Sequence, residues 1–463
     1  MPFSENGARS FVLYQTYLSQ VSLVTFKNHW NVSRKITTPV RTGVRRVLII
    51  VENLPVPFDR RVWSEALALR NAGYTVSIIS PKGQGYEDSV VTIDDIHVYR
   101  HGLPFEASGA LGYFIEYSFS LFWQLVLTVK AARRPGFDVI HACNPPDLIF
   151  LVGVLFKFFG RKSFVFDHHD LNPELYESKF QKRGFFWRLL VLAEKLTFKT
   201  ADLSIATNES YRRVAITRGG MPPERTFVVR SGPNLERVKQ RLPDPRWRKG
   251  RRFLVGYVGV ISEIEGIDLL LAAVDHIVRA RRRNDIQFVI AGSGPSWSSI
   301  VKQCDMLGVN EYVTLTGRIE DAALFSMLST ADVCVNPDRV TALTDVSTMN
   351  KVMEYMALGK PIVQFDVTEG RFSAQDASLY AKPNDPIDFG DKILQLLESA
   401  DLRQQMGEFG RRRVHEVLAW QHEQPKLLAA YDALFALREQ PASAYQWLRS
   451  VLIGKSSRRA LER

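Results

Sequence analysis

The chain has 463 residues, a length for two or three domains rather than one, with a globular apolar fraction of 46%. Its three cysteines, Cys143, Cys304 and Cys334, are scattered without a CxxC pair, which excludes a disulfide scaffold or a cysteine zinc site and fits a reducing, cytoplasmic setting. The net charge of +11 sits at the ends: residues 1–46 carry seven Lys or Arg against Glu5, residues 441–463 carry five against Glu462, and the body between is near neutral.

In chain order, residues 1–45 form a basic extension whose apolar stretch 10–26 is amphipathic enough for a surface anchor. From Arg46 strand and helix signals alternate. Strands are expected at Val47–Val51, Thr75–Ile79, Val139–Ala142, Ser163–Phe166, Leu203–Ala206 and Thr226–Val229. Between them fall helices begun by Asp59 and ended by Gly73, and others near 112–132, 148–159, 186–200 and 210–217. Tyr113–Val129 is interrupted by Glu116 and Gln124, and Leu148–Phe159 is too short, so no membrane span is expected.

The proline- and charge-rich stretch 237–251 reads as a linker between a first domain, 46–236, and a second, 252–420. The second series has strands at Phe253–Val258, Gln287–Ala291, Tyr312–Thr316, Val333–Val335 and Ile362–Phe365, with helices near 267–282, 297–307, 322–331 and 349–358. Two such series predict an α/β protein of two doubly wound parallel sheets, with the ligand in the cleft between strand carboxyl ends. A last helix, 421–438, follows the second series and is available to pack back on the first domain; 439–463 is a basic tail. The basic ends suit peripheral association with an anionic membrane, at the inner face of the plasma membrane, or else are solvated tails; no nucleic-acid partner is expected.

The stretch 345–366 is the most informative. Ser347 or Thr348 is a good N-cap, Gly359 stands where a left-handed residue closes a helix, and Ile362–Phe365 reads as a buried strand. Asn350, Lys351 and Glu354 share one polar face, either a solvated ion pair or an anion site with a carboxylate for hydroxyls. Elsewhere, Asp167-His168-His169-Asp170 lies at a strand end facing the expected cleft, where a histidine can bond substrate or move a proton. Asn144-Pro-Pro-Asp147 shapes the same wall. Ala291-Gly-Ser-Gly-Pro295 lacks a third glycine and reads as a tight structural turn, which leaves a dehydrogenase poorly supported. No P-loop and no HExxH metal motif is present.

With these pieces placed, the chain resembles glycosyltransferase family 4, whose GT-B fold sets two Rossmann-like domains face to face. The likeness runs from about Val47 to Tyr431. It is carried by LPVPFDRRVW from Leu54 to Trp63, VFDHHD from Val165 to Asp170, Tyr257-Val-Gly259, Ala291–Pro295, Leu315-Thr-Gly-Arg318 and MEYMALGKP from Met353 to Pro361. The resemblance implies a retaining transfer of a sugar from a nucleotide-diphosphate donor to a glycan or lipid-linked acceptor in polysaccharide biosynthesis. It implies no metal or other cofactor, helix starts and basic side chains holding the diphosphate.

Carried over, Glu354 resembles the second glutamate of the family's E-x7-E motif, which holds the donor ribose, and His169 resembles the cleft histidine near the transferred sugar. Gly259, the Gly317-Arg318-Ile319 backbone, Asp345, Asn350 and Lys351 are expected on the donor side, and Asp59, Arg60, Arg61 and Asp170 on the acceptor side. The sequence departs from the family at Val346, where the first glutamate belongs. It departs also at Val260 and Glu265, where phosphate-binding Arg and Lys belong, and at Pro55 and Pro57 in place of a glycine pair. Other expectations for this fold are a sugar-nucleotide 2-epimerase or an inactive scaffold of a polysaccharide assembly complex.

Overall fold

Near-continuous runs of Val, Ile, Leu and Phe are what strands buried on both faces require, and here they build two sheets. The computed structural model describes residues 45–102 and 109–439; the expected surface anchor 10–26 and the basic ends 1–44 and 440–463 lie outside the described residues. The first sheet contains β1 (Arg46–Ile50), β2 (Thr75–Pro81), β3 (Val90–Ile93), β4 (Ile96–His101), β5 (Val139–Cys143), β6 (Ser163–His168), β7 (Leu203–Ala206) and β8 (Thr226–Val228). Its order is β3-β4-β2-β1-β5-β6-β7-β8, parallel except for the β3–β4 hairpin. The second contains β9 (Phe253–Val258), β10 (Ile286–Ala291), β11 (Val313–Gly317), β12 (Val333–Asn336), β13 (Ile362–Phe365) and β14 (Ser378–Ala381), ordered β11-β10-β9-β12-β13-β14 and wholly parallel.

Strand order reverses between β1 and β5 in the first sheet and between β9 and β12 in the second. At such switch points the carboxyl-end loops splay and open a crevice. Each sheet is covered on both faces. In the first, Leu48, Phe164 and Phe166 meet helices Gly109–Arg133, Phe150–Gly160 and Phe185–Thr200. On its other face Val47, Ile49 and Val76 meet helix Arg60–Asn71.

The final helix, Trp420–Glu439, crosses back to the first domain. Leu427, Tyr431 and Leu434 join that core, and Tyr431 hydrogen-bonds His141 at 2.9 Å. The chain therefore crosses between domains twice, side by side. A Cβ on Gly232 would meet the Leu418 carbonyl at 2.3 Å, so only glycine admits this approach.

Several elements were not anticipated. The β3–β4 hairpin turns at Asp94–Asp95, both with positive φ (48° and 61°), a two-residue turn made without the usual Asn or Gly. Helices Asn172–Phe180, Thr368–Ala374, Pro386–Glu398 and Ala400–Arg413 and strand β14 complete the two layers. The stretch 237–251 is not a loose spacer. Val238 is buried in the second domain's core and Arg248 pairs with Asp332 at 2.7 Å. Helix Asn350–Ala357 follows Met349 with no side-chain cap, contrary to the expected Ser347 or Thr348. The Ser347 hydroxyl is 3.1 Å from the Tyr211 hydroxyl instead. Gly359 does adopt the left-handed conformation (φ 66°) that ends this helix.

Candidate active site

The facing carboxyl ends enclose a cleft of about 890 Å³. The second domain lines it with Gly259 and Val260 after β9, Gly292 and Ser293 after β10, Arg318–Asp321 after β11, and Asn350 and Glu354. The first domain supplies Phe58, Arg60, Arg61, Trp63 and Ser64, and the connection adds Ser231, Asn234 and Arg237. The loops after β9 and β10 touch backbone to backbone. A Cβ on Gly292 (φ 144°) would stand 1.8 Å from the Gly259 carbonyl, and Ile261 N–H donates to Ser293 O at 3.1 Å. The Gly-Ser-Gly turn thus serves close packing of the cleft wall.

Glu354 lies at the centre. Arg237 donates to its Oε1 at 3.1 and 3.2 Å and the Arg60 guanidinium is 3.7 Å away. Asp321 completes the group, 3.0 Å from Arg60 and 3.2 Å from Arg237. Glu354 Oε2 is buried and receives no hydrogen bond among the described residues. Burial pushes the carboxyl up to about 7, against the pull of Arg60 and with the nearby Asp321 adding to the rise. A ligand that needs the carboxylate as acceptor therefore competes with a proton below that pH. We expect nucleotide affinity to rise about tenfold per pH unit on approaching pH 7 from below and to level off above it. Titration calorimetry across this range checks it: Glu354→Gln should flatten the profile, and an unchanged profile in the variant would assign the titration elsewhere.

Of the residues singled out in the sequence, Glu354, Asn350, Gly259, Arg318, Ile319, Arg60 and Arg61 line one cavity. Arg318 also stacks its guanidinium 4.2 Å from the Phe58 ring, across the cleft. Gly317 (φ 67°) accepts the Gly292 N–H at 2.9 Å and sets the turn behind Arg318. Lys351 points elsewhere: it is buried, with Nζ 2.5 Å from Asp338 Oδ1 and 4.9 Å from the Tyr257 ring. Asp345 caps the start of helix Thr368–Ala374, accepting from Thr368 N–H at 2.8 Å and its hydroxyl at 3.1 Å. Asp59 is likewise a cap, buried and accepting from Val62 N–H at 3.1 Å.

His169 and Asp170 are buried under the first-domain wall. His169 Nε2 lies 2.5 Å from Asp167 Oδ2 and 2.9 Å from Arg61 Nε. Asn144 clamps this turn, its Oδ1 accepting from the N–H groups of His169 and Asp170 at 2.7 and 3.2 Å. Burial and the neighbouring Asp147 push Asp170 well above the usual carboxylate range. Burial also works to raise Asp167, but the charges of Arg61 and His169 outweigh it and hold Asp167 well below that range. Glu65, Asp167 and His169 bring potential metal-ligating atoms within 4.8 Å of one another. Arg61, 2.8 Å from Asp167 and 2.9 Å from Glu65, already supplies positive charge there.

Sequence reasoning missed Arg237 and Asp321. Arg237 sits in a segment whose composition signals only a linker, and no local pattern marks it as facing a carboxylate 117 positions later.

Two facing doubly wound sheets with a cleft at their carboxyl ends define a GT-B protein. Residues 59–237 match the family model described as Glycosyltransferase Family 4, and residues 252–399 match that described as Glycosyl transferases group 1. The chain belongs to glycosyltransferase family 4. It is 30% identical over 159 residues to an alpha-D-kanosaminyltransferase of Streptomyces kanamyceticus, a match spanning 34% of this chain and 39% of that protein. It is 23% identical over 321 residues to an MMP alpha-(1->4)-mannosyltransferase of Mycolicibacterium hassiacum, covering 66% of this chain and 73% of the relative. Among solved structures, a sucrose-phosphate synthase from Thermosynechococcus elongatus shares the fold with a TM-score of 0.70 at 20% identity, over 85% of this chain and 100% of that one.

Proposed function

We propose that the protein transfers a sugar from a nucleoside diphosphate sugar to a glycan or lipid-linked acceptor, with retention of anomeric configuration, on the cytoplasmic side of a membrane. The observation that carries this reading is Glu354 Oε2, a buried carboxylate oxygen in the cleft with no protein donor. A diol such as a ribose supplies the two hydroxyl donors that the carboxylate lacks. The base then sits against Gly317–Ile319. Arg60, Arg237 and Arg318 face the diphosphate, offsetting negative charge as the bond from the sugar to the leaving phosphate breaks. They replace the family's Arg and Lys, whose places hold Val260 and Glu265. The departing phosphate accepts the acceptor hydroxyl's proton on the face where the new bond forms, and Phe58 and Trp63 provide flat apolar surface for the acceptor. Closure of the domains excludes water from the step.

The test is to incubate the purified chain with a panel of nucleotide sugars and follow nucleotide release with and without lipid-linked acceptors. Failure of every donor to bind or turn over overturns the proposal. In the same reading the small exposed part of the His169 ring, 8% of the residue and beside the cleft-lining Arg61, meets the transferred sugar. His169→Ala should therefore lower kcat about a hundredfold and leave nucleotide affinity unchanged. A loss of nucleotide affinity instead would make the histidine a support for Arg61.

A further inference from the structure

Helices Gly109–Arg133, Phe150–Gly160 and Phe185–Thr200 cover one face of the first sheet and pack side by side, and Asn172–Phe180 packs against the last of them. Their inner faces fill the core with Leu127, Val152 and Phe198. Their outer faces are apolar as well. Of the 17 large hydrophobic side chains exposed among the described residues, 12 lie between Phe122 and Leu192, on these helices. The others, such as Leu242 and Met306, are scattered singly over the rest of the chain. Two aromatic pairs stand out, Phe158–Phe159 and Phe185–Phe186, with Phe159 77% and Phe185 75% exposed. A patch of this extent costs solubility unless something covers it.

Its charge says what covers it. Between residues 119 and 200 every exposed charged side chain is basic, among them Lys130, Arg161, Lys182, Arg188, Lys195 and Lys199. The nearby carboxylates are half-buried or buried and already paired, Glu177 with Arg183 at 2.7 Å and Glu194 with Arg218 at 2.6 Å. We propose that this helical face docks on an anionic lipid bilayer, the phenylalanine pairs entering the acyl boundary and the cations meeting lipid phosphates. A second copy fits poorly, because a two-fold contact through this face would set the cations against themselves. Among the described residues no helix is long and apolar enough to cross a membrane, so the contact is with the surface. Helix Asn172–Phe180 starts two residues after Asp170, just past the strand end whose Asp167 and His169 stand behind the cleft-lining Arg61. Docking on this face therefore sets the bilayer beside the wall where a lipid-linked acceptor would enter. The surface uses none of the cleft residues, so it stands or falls independently of the donor.

The experiment is flotation of the full chain with equimolar phosphatidylcholine–phosphatidylglycerol vesicles, and with phosphatidylcholine alone. The chain should float with the anionic vesicles and less so as salt is raised. Phe158→Ser, Phe159→Ser, Phe185→Ser and Phe186→Ser combined should weaken binding at least about tenfold. A separate Lys182→Glu, Arg188→Glu, Lys195→Glu variant should lose the preference for anionic vesicles. Thermal melts of both variants matching the parent show that they fold. Undiminished flotation of the serine variant would overturn the proposal and place any binding in the basic ends. A parent dimer that the serine changes dissociate would overturn it in favour of a second copy.

Discussion

Replacing Glu354 with alanine is expected to lower nucleotide affinity about a thousandfold. Each hydrogen bond to a charged acceptor contributes roughly 1.5–3 kcal/mol, so two ribose hydroxyls account for about 3–6 kcal/mol, and each 1.4 kcal/mol is about tenfold in affinity. The fold should tolerate the change. Burial raises this carboxyl to about 7, so its ionised form costs the folded state stability, and Asp321 remains to pair with Arg60 and Arg237. Calorimetric titration with a panel of nucleoside diphosphates, beside a thermal melt, separates the two effects. Wild-type affinity in a folded variant would refute the placement of the ribose.

The sheets were legible because their strands are buried on both faces: β9 and β10 are buried throughout, and such runs read as strands whatever surrounds them. The β3–β4 hairpin was not, because β3 is largely exposed and its turn uses two aspartates where glycine or asparagine would have signalled it. At the site, helical periodicity put Lys351 and Glu354 on one side of helix Asn350–Ala357. Residues three apart still differ by about 60° around the axis, enough for Glu354 to face the cleft while Lys351 meets the buried Asp338. Periodicity gives the angle between side chains; it does not say what stands opposite each. Arg237 shows the complementary limit, since its partner is set by the path of the interdomain connection.

The departures from the family pattern become intelligible together. Glu265 braces its own loop, accepting from Ser262 N–H and hydroxyl at 3.2 and 2.5 Å. Burial raises it to about 8, against the Lys351 charge and with Asp338 adding to the rise. One lysine thus faces two buried carboxyls, both raised by burial against its charge. Val346, in place of a glutamate, packs against an apolar cluster of Leu171, Leu175 and Tyr211 from the first domain with Leu343 from the second. Arg60 and Arg237 supply positive charge beside Glu354, and apolar contact between the domains surrounds Val346.

Arg61→Met should destabilise the first domain by about 3–5 kcal/mol, the cost of leaving a buried charge unpaired; for a domain of roughly 200 residues that is a melting temperature lower by about 6–20 °C. Arg61 is buried between Asp167 and Glu65 and donates to the Val229 carbonyl at 2.8 Å. Burial pushes Glu65 well above the usual carboxylate range despite Arg61, whereas Asp167 is held well below it. Arg61 therefore stands between one carboxyl that burial raises and one that its own charge holds down. Asp167, with its lowered folded pKa, contributes stability that is present above its unfolded value and lost only as pH falls through the folded one. Without Arg61 that carboxylate becomes a liability above its new, higher pKa, so the variant's deficit should shrink when melts are run near pH 5 rather than near pH 7.5. Adding Asp167→Asn to Arg61→Met removes the stranded charge and should recover part of the loss. A single variant that melts with the parent, or a deficit indifferent to pH and to the second change, would show that Arg61 acts through packing alone.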